Sequence, residues 1–78
     1  MQIFIKGISL RKNKTITTIN DIVSTHSVKT LYMIINNMFG ISQDDYYLQF
    51  KKILPFSDEM LIDFGIRDES TIHLHFRI

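Results

Sequence analysis

Two histidines near the end of the chain come closest, by type and spacing, to suggesting chemistry. His73 and His75 lie in a segment of alternating character, so their imidazoles project from one strand face about 7 Å apart. Two imidazoles at that distance can share a metal ion, but a structural zinc site needs four ligands. No third ligand is close in the sequence, since His26 belongs to the distant start of a helix. We therefore predict a solvated sheet face with no metal and no cofactor.

The other charged residues favour neither catalysis nor nucleic-acid binding. Arg11, Lys12 and Lys14 form a basic cluster, but no aromatic platform for base stacking accompanies them. Nine Lys and Arg residues face eight Asp and Glu residues, so the chain lacks the basic excess of nucleic-acid-binding domains. The carboxylates lie in turn-like segments without a nucleophile–base arrangement, and the chain has no cysteine. The sequence therefore predicts a protein that is not an enzyme and has neither a small-molecule substrate nor a nucleic-acid partner.

Length and composition are those of one small globular domain. The 78 residues, 45% of them hydrophobic, suffice for a single core that spans residues 1–78. No apolar run approaches the roughly 20 residues that cross a bilayer, and no secretory signal pattern opens the chain. Together with the lack of cysteine, these features lead us to expect a monomer in the cytoplasm or nucleus, without membrane contact.

The periodicity of the apolar residues predicts four or five strands and one helix. Alternation, β-branched residues and turn signals place strands at 2–6, 14–19, 47–50, 52–54 and 71–78, a loop at 7–13, a turn at 41–45 and a helical turn at 61–65. This order predicts an α+β roll, in which one helix packs across a four- or five-stranded mixed sheet. The first and last strands are expected to be parallel and central.

The helix is predicted over residues 25–38. Ser24 is expected to cap its N-terminus, with Val23 packed back on the first turn, and Gly40 to end it in the left-handed conformation. Apolar residues at helical spacing form the stripe expected to face the core, namely Val28, Tyr32, Ile35 and Phe39.

Several segments resemble the ubiquitin family, in the same order over nearly the whole chain. They include residues 1–4 (Met-Gln-Ile-Phe), 14–17 (Lys-Thr-Ile-Thr) and 69–74 (Glu-Ser-Thr-Ile-His-Leu), with single matches at Lys6, Val28, Lys29, Gly40, Ile41, Leu48 and Phe50. The resemblance implies the β-grasp fold, in agreement with the element order, and a protein that works by contact with other proteins.

The resemblance also implies a site on the outer face of the sheet, where ubiquitin carries a shallow apolar patch. Gln49 replaces the central isoleucine of that patch and His75 replaces its valine, whereas the patch histidine is kept as His73. Ile8 or Leu10 takes the place of the loop leucine. Each lost aliphatic group removes about 1.5–3 kcal/mol of burial in a complex. Receptors that depend on an apolar patch are therefore expected to bind weakly or not at all.

The end of the printed chain departs from the family as well. Ubiquitin continues through Arg-Leu-Arg into a Gly-Gly tail that is activated and conjugated, whereas this sequence stops at Ile78, after Arg77. We expect a non-covalent interaction module. The alternative is a ubiquitin-like modifier, or the ubiquitin-like part of a fusion, whose tail or fused domain is missing from this chain.

A second candidate surface lies on the flank of the helix. Leu31, Ile34 and Met38 lie beside the core stripe, and Phe56 or Ile62 can extend them from the following loop. A longer helix that simply covers more of the sheet explains these residues equally well. Docking of another protein on Ile34 and Met38 is the functional alternative, because a small domain with much apolar sequence leaves some of it uncovered.

Overall fold

The computed structural model describes residues 1–8 and 14–77, with only the backbone at Ile8, Lys14 and Thr15. It confirms the α+β class. The residues described form five strands and one helix, with the bounds β1 (Ile3–Ile8), β2 (Lys14–Ile19), α1 (Val28–Phe39), β3 (Tyr46–Phe50), β4 (Lys52–Leu54) and β5 (Thr71–Phe76). Single 3-10 turns at Gln43–Asp45 and Leu61–Phe64 lie in the connections.

The strands form one mixed sheet in the order β2-β1-β5-β3-β4. β1 and β5 are parallel, with Ile5 opposite Ile72, and every other neighbouring pair is antiparallel. The prediction that the first and last strands are parallel and lie inside the sheet is therefore confirmed. This sheet order with one helix across it is consistent with a β-grasp fold.

The hydrophobic core lies between the helix and one face of the sheet. Alternate residues of each strand point into it, because successive side chains in a strand face opposite sides. Fully or nearly fully buried positions on the strands include Ile3, Ile5, Ile19, Tyr46, Leu48, Leu54, Ile72 and Leu74, and those on the helix are Val28, Leu31, Tyr32 and Ile35.

The helix begins three residues later than predicted, and its N-cap is Ser27 rather than Ser24. The Ser27 hydroxyl accepts a hydrogen bond from the Thr30 N–H at 3.0 Å. The helix does not begin at Ser24 because the Ser24 and His26 carbonyls pair with the loop before β5. They accept from the N–H groups of Ile62 and Leu61, and the N–H of Val28 donates to the Glu59 carbonyl. Val23 is half-exposed, and the turn on which it is predicted to pack, after Ser24, is not helical.

The apolar stripe of the helix also ends one turn earlier than its periodicity predicts. Phe39, the last helical residue, is 41% exposed, whereas Ile35 is fully buried. Leu31, expected on the flank, is fully buried as well. Helical spacing gives the direction of a side chain but not how far the partner sheet reaches beneath it. Gly40 ends the helix in the left-handed conformation as predicted, with φ 65° and ψ 34°.

β1 runs through Gly7 to Ile8, where a loop had been predicted. Gly7 lies beside Leu74 of the parallel neighbour β5. A Cβ atom added at Gly7 would lie 3.3 Å from the Cβ of Leu74. A side chain at Gly7 would therefore fit only if Leu74 moved slightly away from β1.

Two tyrosines tie the helix to the sheet by hydrogen bonds inside the core. The Tyr32 hydroxyl accepts from the Leu48 N–H at 3.0 Å and donates to the Leu54 carbonyl at 2.6 Å. Leu48 and Leu54 are opposite each other in β3 and β4, so this one hydroxyl bridges the two strands. The Tyr46 hydroxyl donates to the Tyr32 carbonyl at 3.1 Å and contacts the Asn36 amide. Burial raises the pKa of both phenols, most strongly at Tyr46.

Candidate functional site

The face of the sheet away from the helix carries the predicted site, and we call it the outer sheet face. Its side chains are those that alternate with the buried ones along each strand. It is formed by Phe4, Lys6, Ile16, Thr18, Tyr47, Gln49, Ile53, Thr71, His73 and His75, with Arg77 directly after β5.

One row of this face crosses all five strands. The strand register places the residues in the order Ile16, Lys6, His73, Gln49 and Ile53. The three central residues are polar, whereas Ile16 and Ile53, on the two edge strands, are 68% and 57% exposed. Four strand spacings separate the two isoleucines by about 19 Å. The row therefore has a polar centre and apolar ends, the reverse of an ordinary interface with an apolar core and a polar rim.

A second feature of the outer sheet face is a group of neighbouring rings and one guanidinium, which we call the ring row. It consists of His73, His75, Tyr47 and Arg77. The rings of His73 and His75 are 6.3 Å apart and 20° from parallel, and those of His75 and Tyr47 are 5.1 Å apart and 27° from parallel. The Arg77 guanidinium carbon lies 5.1 Å from the centre of the Tyr47 ring, a cation–π distance.

The structure brings three of the five predicted sheet-face residues together. His73 is directly opposite Gln49, and His75 is one pleat further along the same strand. Ile8 is the last residue of β1, where its backbone pairs with Lys14. Leu10 lies outside the described residues, as do Arg11 and Lys12 of the basic cluster.

The predicted helix flank is only partly exposed. Ile34 is partly exposed and packs on the core, whereas Met38, one turn further along the helix, is 46% exposed. Phe56 contacts Tyr32 edge-on and lies 5.6 Å from the Lys29 ammonium. At 100° per residue, Lys29 lies about 180° and Tyr32 about 120° around the helix from Met38, so Phe56 contacts a different side of the helix from Met38.

Tyr47 is the functional candidate that sequence reasoning missed. It stacks on His75 from the neighbouring strand and lies within cation–π distance of Arg77. The available signal was the alternation of Tyr47, Leu48 and Gln49, which puts Tyr47 on the same face as Gln49 once Leu48 is assigned to the core.

The outer sheet face offers hydrogen-bond donors and positive charge. Lys6 and Arg77 supply the fixed cations, and the imidazoles of His73 and His75 supply ring N–H groups. Within residues 1–8 and 14–77, no three His, Asp or Glu side chains come close enough to hold a metal ion. In the same part of the chain, no helix is both long enough and apolar enough to cross a bilayer.

Comparison with known proteins gives no family model that matches the sequence and no significant match among curated proteins. The class of protein is therefore defined by its architecture. It is an α+β domain with one helix across a five-stranded mixed sheet, consistent with a β-grasp fold, and its outer sheet face is polar at the centre.

Proposed function

We propose that this protein is a diverged ubiquitin-like domain that binds other proteins non-covalently through its outer sheet face. The family assignment is supported by the ordered sequence matches together with a fold of the expected class. We choose this surface because of the row from Ile16 to Ile53, which presents side chains from all five strands on one side of the sheet. The helix covers the other side.

The polar centre of this face defines which partners it fits. Lys6, His73 and Gln49 occupy the middle of the row, so a partner that buries only apolar side chains there would leave polar groups unpaired. Each unpaired group costs about 1–3 kcal/mol. The proposed partners therefore bring hydrogen-bond acceptors to the centre of the face. We place the interaction in the cytoplasm or nucleus, with the domain as a monomer.

The test compares two charge-introducing double variants in quantitative capture of partners from the source cells. One is H73E/H75E on the outer sheet face, and the matched control is M33E/N37E on the exposed side of the helix. We expect partners to bind the sheet variant at least about tenfold more weakly, since two repulsive contacts of about 0.7 kcal/mol each lower the affinity by that factor. The helix variant should bind as the unaltered chain does.

Circular dichroism melts establish that both variants are folded before their capture is compared. Loss of binding in the helix variant with retention in the sheet variant would refute the choice of surface. The intact mass of the native protein distinguishes the alternative of a modifier or fusion. A mass of about 9.2 kDa is expected for a free non-covalent module, and a larger mass would favour a conjugatable tail or a fused domain.

A further inference from the structure

The ring row brings two imidazoles, one phenol and one guanidinium together on the outer sheet face. The Tyr47 ring lies beside the His75 ring on the neighbouring strand, the His73 ring lies beside that of His75 along the same strand, and the Arg77 guanidinium lies over the Tyr47 ring. Base stacking on nucleic acid needs a free aromatic face, and the Tyr47 ring is already in contact with His75 and Arg77. Imidazole edges carry N–H groups, so the exposed chemistry of the ring row is hydrogen-bond donation to anionic oxygens.

The charge distribution of the sheet supports recognition of anions. No Asp or Glu occurs in any strand or in the helix. All eight carboxylates lie in the connections, at Asp21, Asp44, Asp45, Asp58, Glu59, Asp63, Asp68 and Glu69. Lys6 is opposite His73 on the parallel neighbour, and Arg77 lies at the other end of the ring row. The strands therefore contribute cations and no carboxylate to a strip of the outer sheet face formed by Lys6 and the ring row, and Asp45 adjoins its Arg77 end, where the Asp45 carbonyl accepts from the Arg77 N–H.

The spacing along the strip specifies the form of the anion. His73 and His75 are alternate residues of β5, so their side chains repeat at about 6.5–7 Å, and Arg77 follows directly after the strand with its guanidinium over Tyr47. An extended peptide has the same repeat between its alternate side chains. A peptide with carboxylates at every second residue can thus set one carboxylate against each imidazole and direct a third towards the Arg77 guanidinium. Adjacent carboxylates in such a peptide point to opposite sides and cannot all reach the strip.

We propose that the ring row, with Lys6, binds an extended acidic segment of a partner protein whose glutamate or aspartate residues occupy alternate positions. The inference rests on the proposed function and names the chemistry of its partner.

The test uses two peptides of the same composition and charge. One carries three glutamates at alternate positions separated by serine, and the other carries the three glutamates consecutively between serines. Each is titrated into the labelled protein at low salt, and backbone amide shifts are followed by NMR. We expect shifts at Lys6, His73, His75 and Arg77, and binding of the alternating peptide at least about threefold tighter, the value of one net hydrogen bond.

Variants of the protein make the assignment specific. H73V/H75V keeps β-forming residues at both positions and removes both ring donors, so the alternating peptide should bind about tenfold more weakly. K6Q should also weaken binding. K52Q is the matched control, because Lys52 lies beside Phe64 rather than on the outer sheet face, and it should leave the difference between the two peptides unchanged.

Three results would overturn the inference: equal affinity for the two peptides, shifts that map away from the ring row, or binding of an oligouridine strand to these residues with no binding of either peptide. A different result would refute the proposed function. If partner capture depends on the outer sheet face while neither peptide binds, the acidic-segment inference falls and the proposed surface stands. If capture does not depend on this face, the proposed function falls.

Discussion

Replacement of Tyr32 by phenylalanine tests how one hydroxyl holds the edge of the sheet. The hydroxyl accepts from the Leu48 N–H at 3.0 Å and donates to the Leu54 carbonyl at 2.6 Å. Leu48 and Leu54 are essentially inaccessible to water. The variant Tyr32→Phe keeps the ring and its packing but removes both hydrogen bonds, so it leaves two buried backbone groups without their partner.

The structure limits how much the free energy of unfolding can fall in the Tyr32→Phe variant. An unpaired buried polar group costs about 1–3 kcal/mol, which gives an upper limit of about 6 kcal/mol for the two. The real cost is smaller, since Leu48 and Leu54 face each other in the register and can close together once the hydroxyl has gone. We expect a fall of about 2 kcal/mol in the free energy of unfolding. For a domain of this size that corresponds to a melting temperature lower by about 8–16 °C.

Urea denaturation followed by circular dichroism measures this change, and amide exchange locates it. The slope of the free energy against urea should be unchanged, and the exchange of β4 amides should accelerate more than that of β1 amides. Tyr47→Phe is the matched control. Its ring lies half-buried on the outer sheet face, so the free energy should change by less than about 0.5 kcal/mol. A Tyr32→Phe variant as stable as this control would refute the bridging role of the hydroxyl.

Two further predictions concern the helix cap and the behaviour at high pH. Ser27→Ala should lower the free energy of unfolding by about 1 kcal/mol, because it removes the acceptor for the Thr30 N–H, and Ser24→Ala should change it by less than about 0.5 kcal/mol; equal urea midpoints for the two variants would contradict the assigned cap. Burial raises the pKa of Tyr32 and Tyr46 above the ordinary value of 10.0. Their contribution to stability is therefore complete below pH 10 and is lost as the pH rises from 10 through the raised values, because the unfolded phenols then release protons that the folded ones retain. The free energy should fall by up to about 1.4 kcal/mol per pH unit for each tyrosine, and Tyr46→Phe should make the fall shallower in alkaline urea titrations; an unchanged slope in that variant would contradict the assignment.

The strands could be predicted from the sequence because alternation is a local property. β2 and β4 have the predicted bounds, and the predicted core residues Ile72 and Leu74 are buried, with His73 on the other face. The start of the helix could not be predicted in this way. Ser24 and Ser27 are equally good caps by residue type, and the choice depends on hydrogen bonds from the distant residues 59–62.

The candidate site, too, could be predicted only in part from the sequence. Alternation placed His73 and His75 on one face, and only the resemblance to the ubiquitin family added Gln49 to them. The sequence did not identify the stack with Tyr47 and Arg77, because which residues of β3 and β5 are neighbours depends on the strand order and the register. Neither the strand order nor the register can be deduced from the spacing of residues within a single segment.

The amino-acid sequence is enough to establish the α+β class, the alternation of each strand and the polar character of His73 and His75 on one face. These properties depend on the period of side-chain direction and on residue chemistry, which are local. Tertiary structure alone decided the extent of the helix, the insertion of the Tyr32 hydroxyl between two strands and the assembly of the ring row. Those features join residues far apart in the chain, so they exist only once the sheet order brings β1, β5 and β3 side by side.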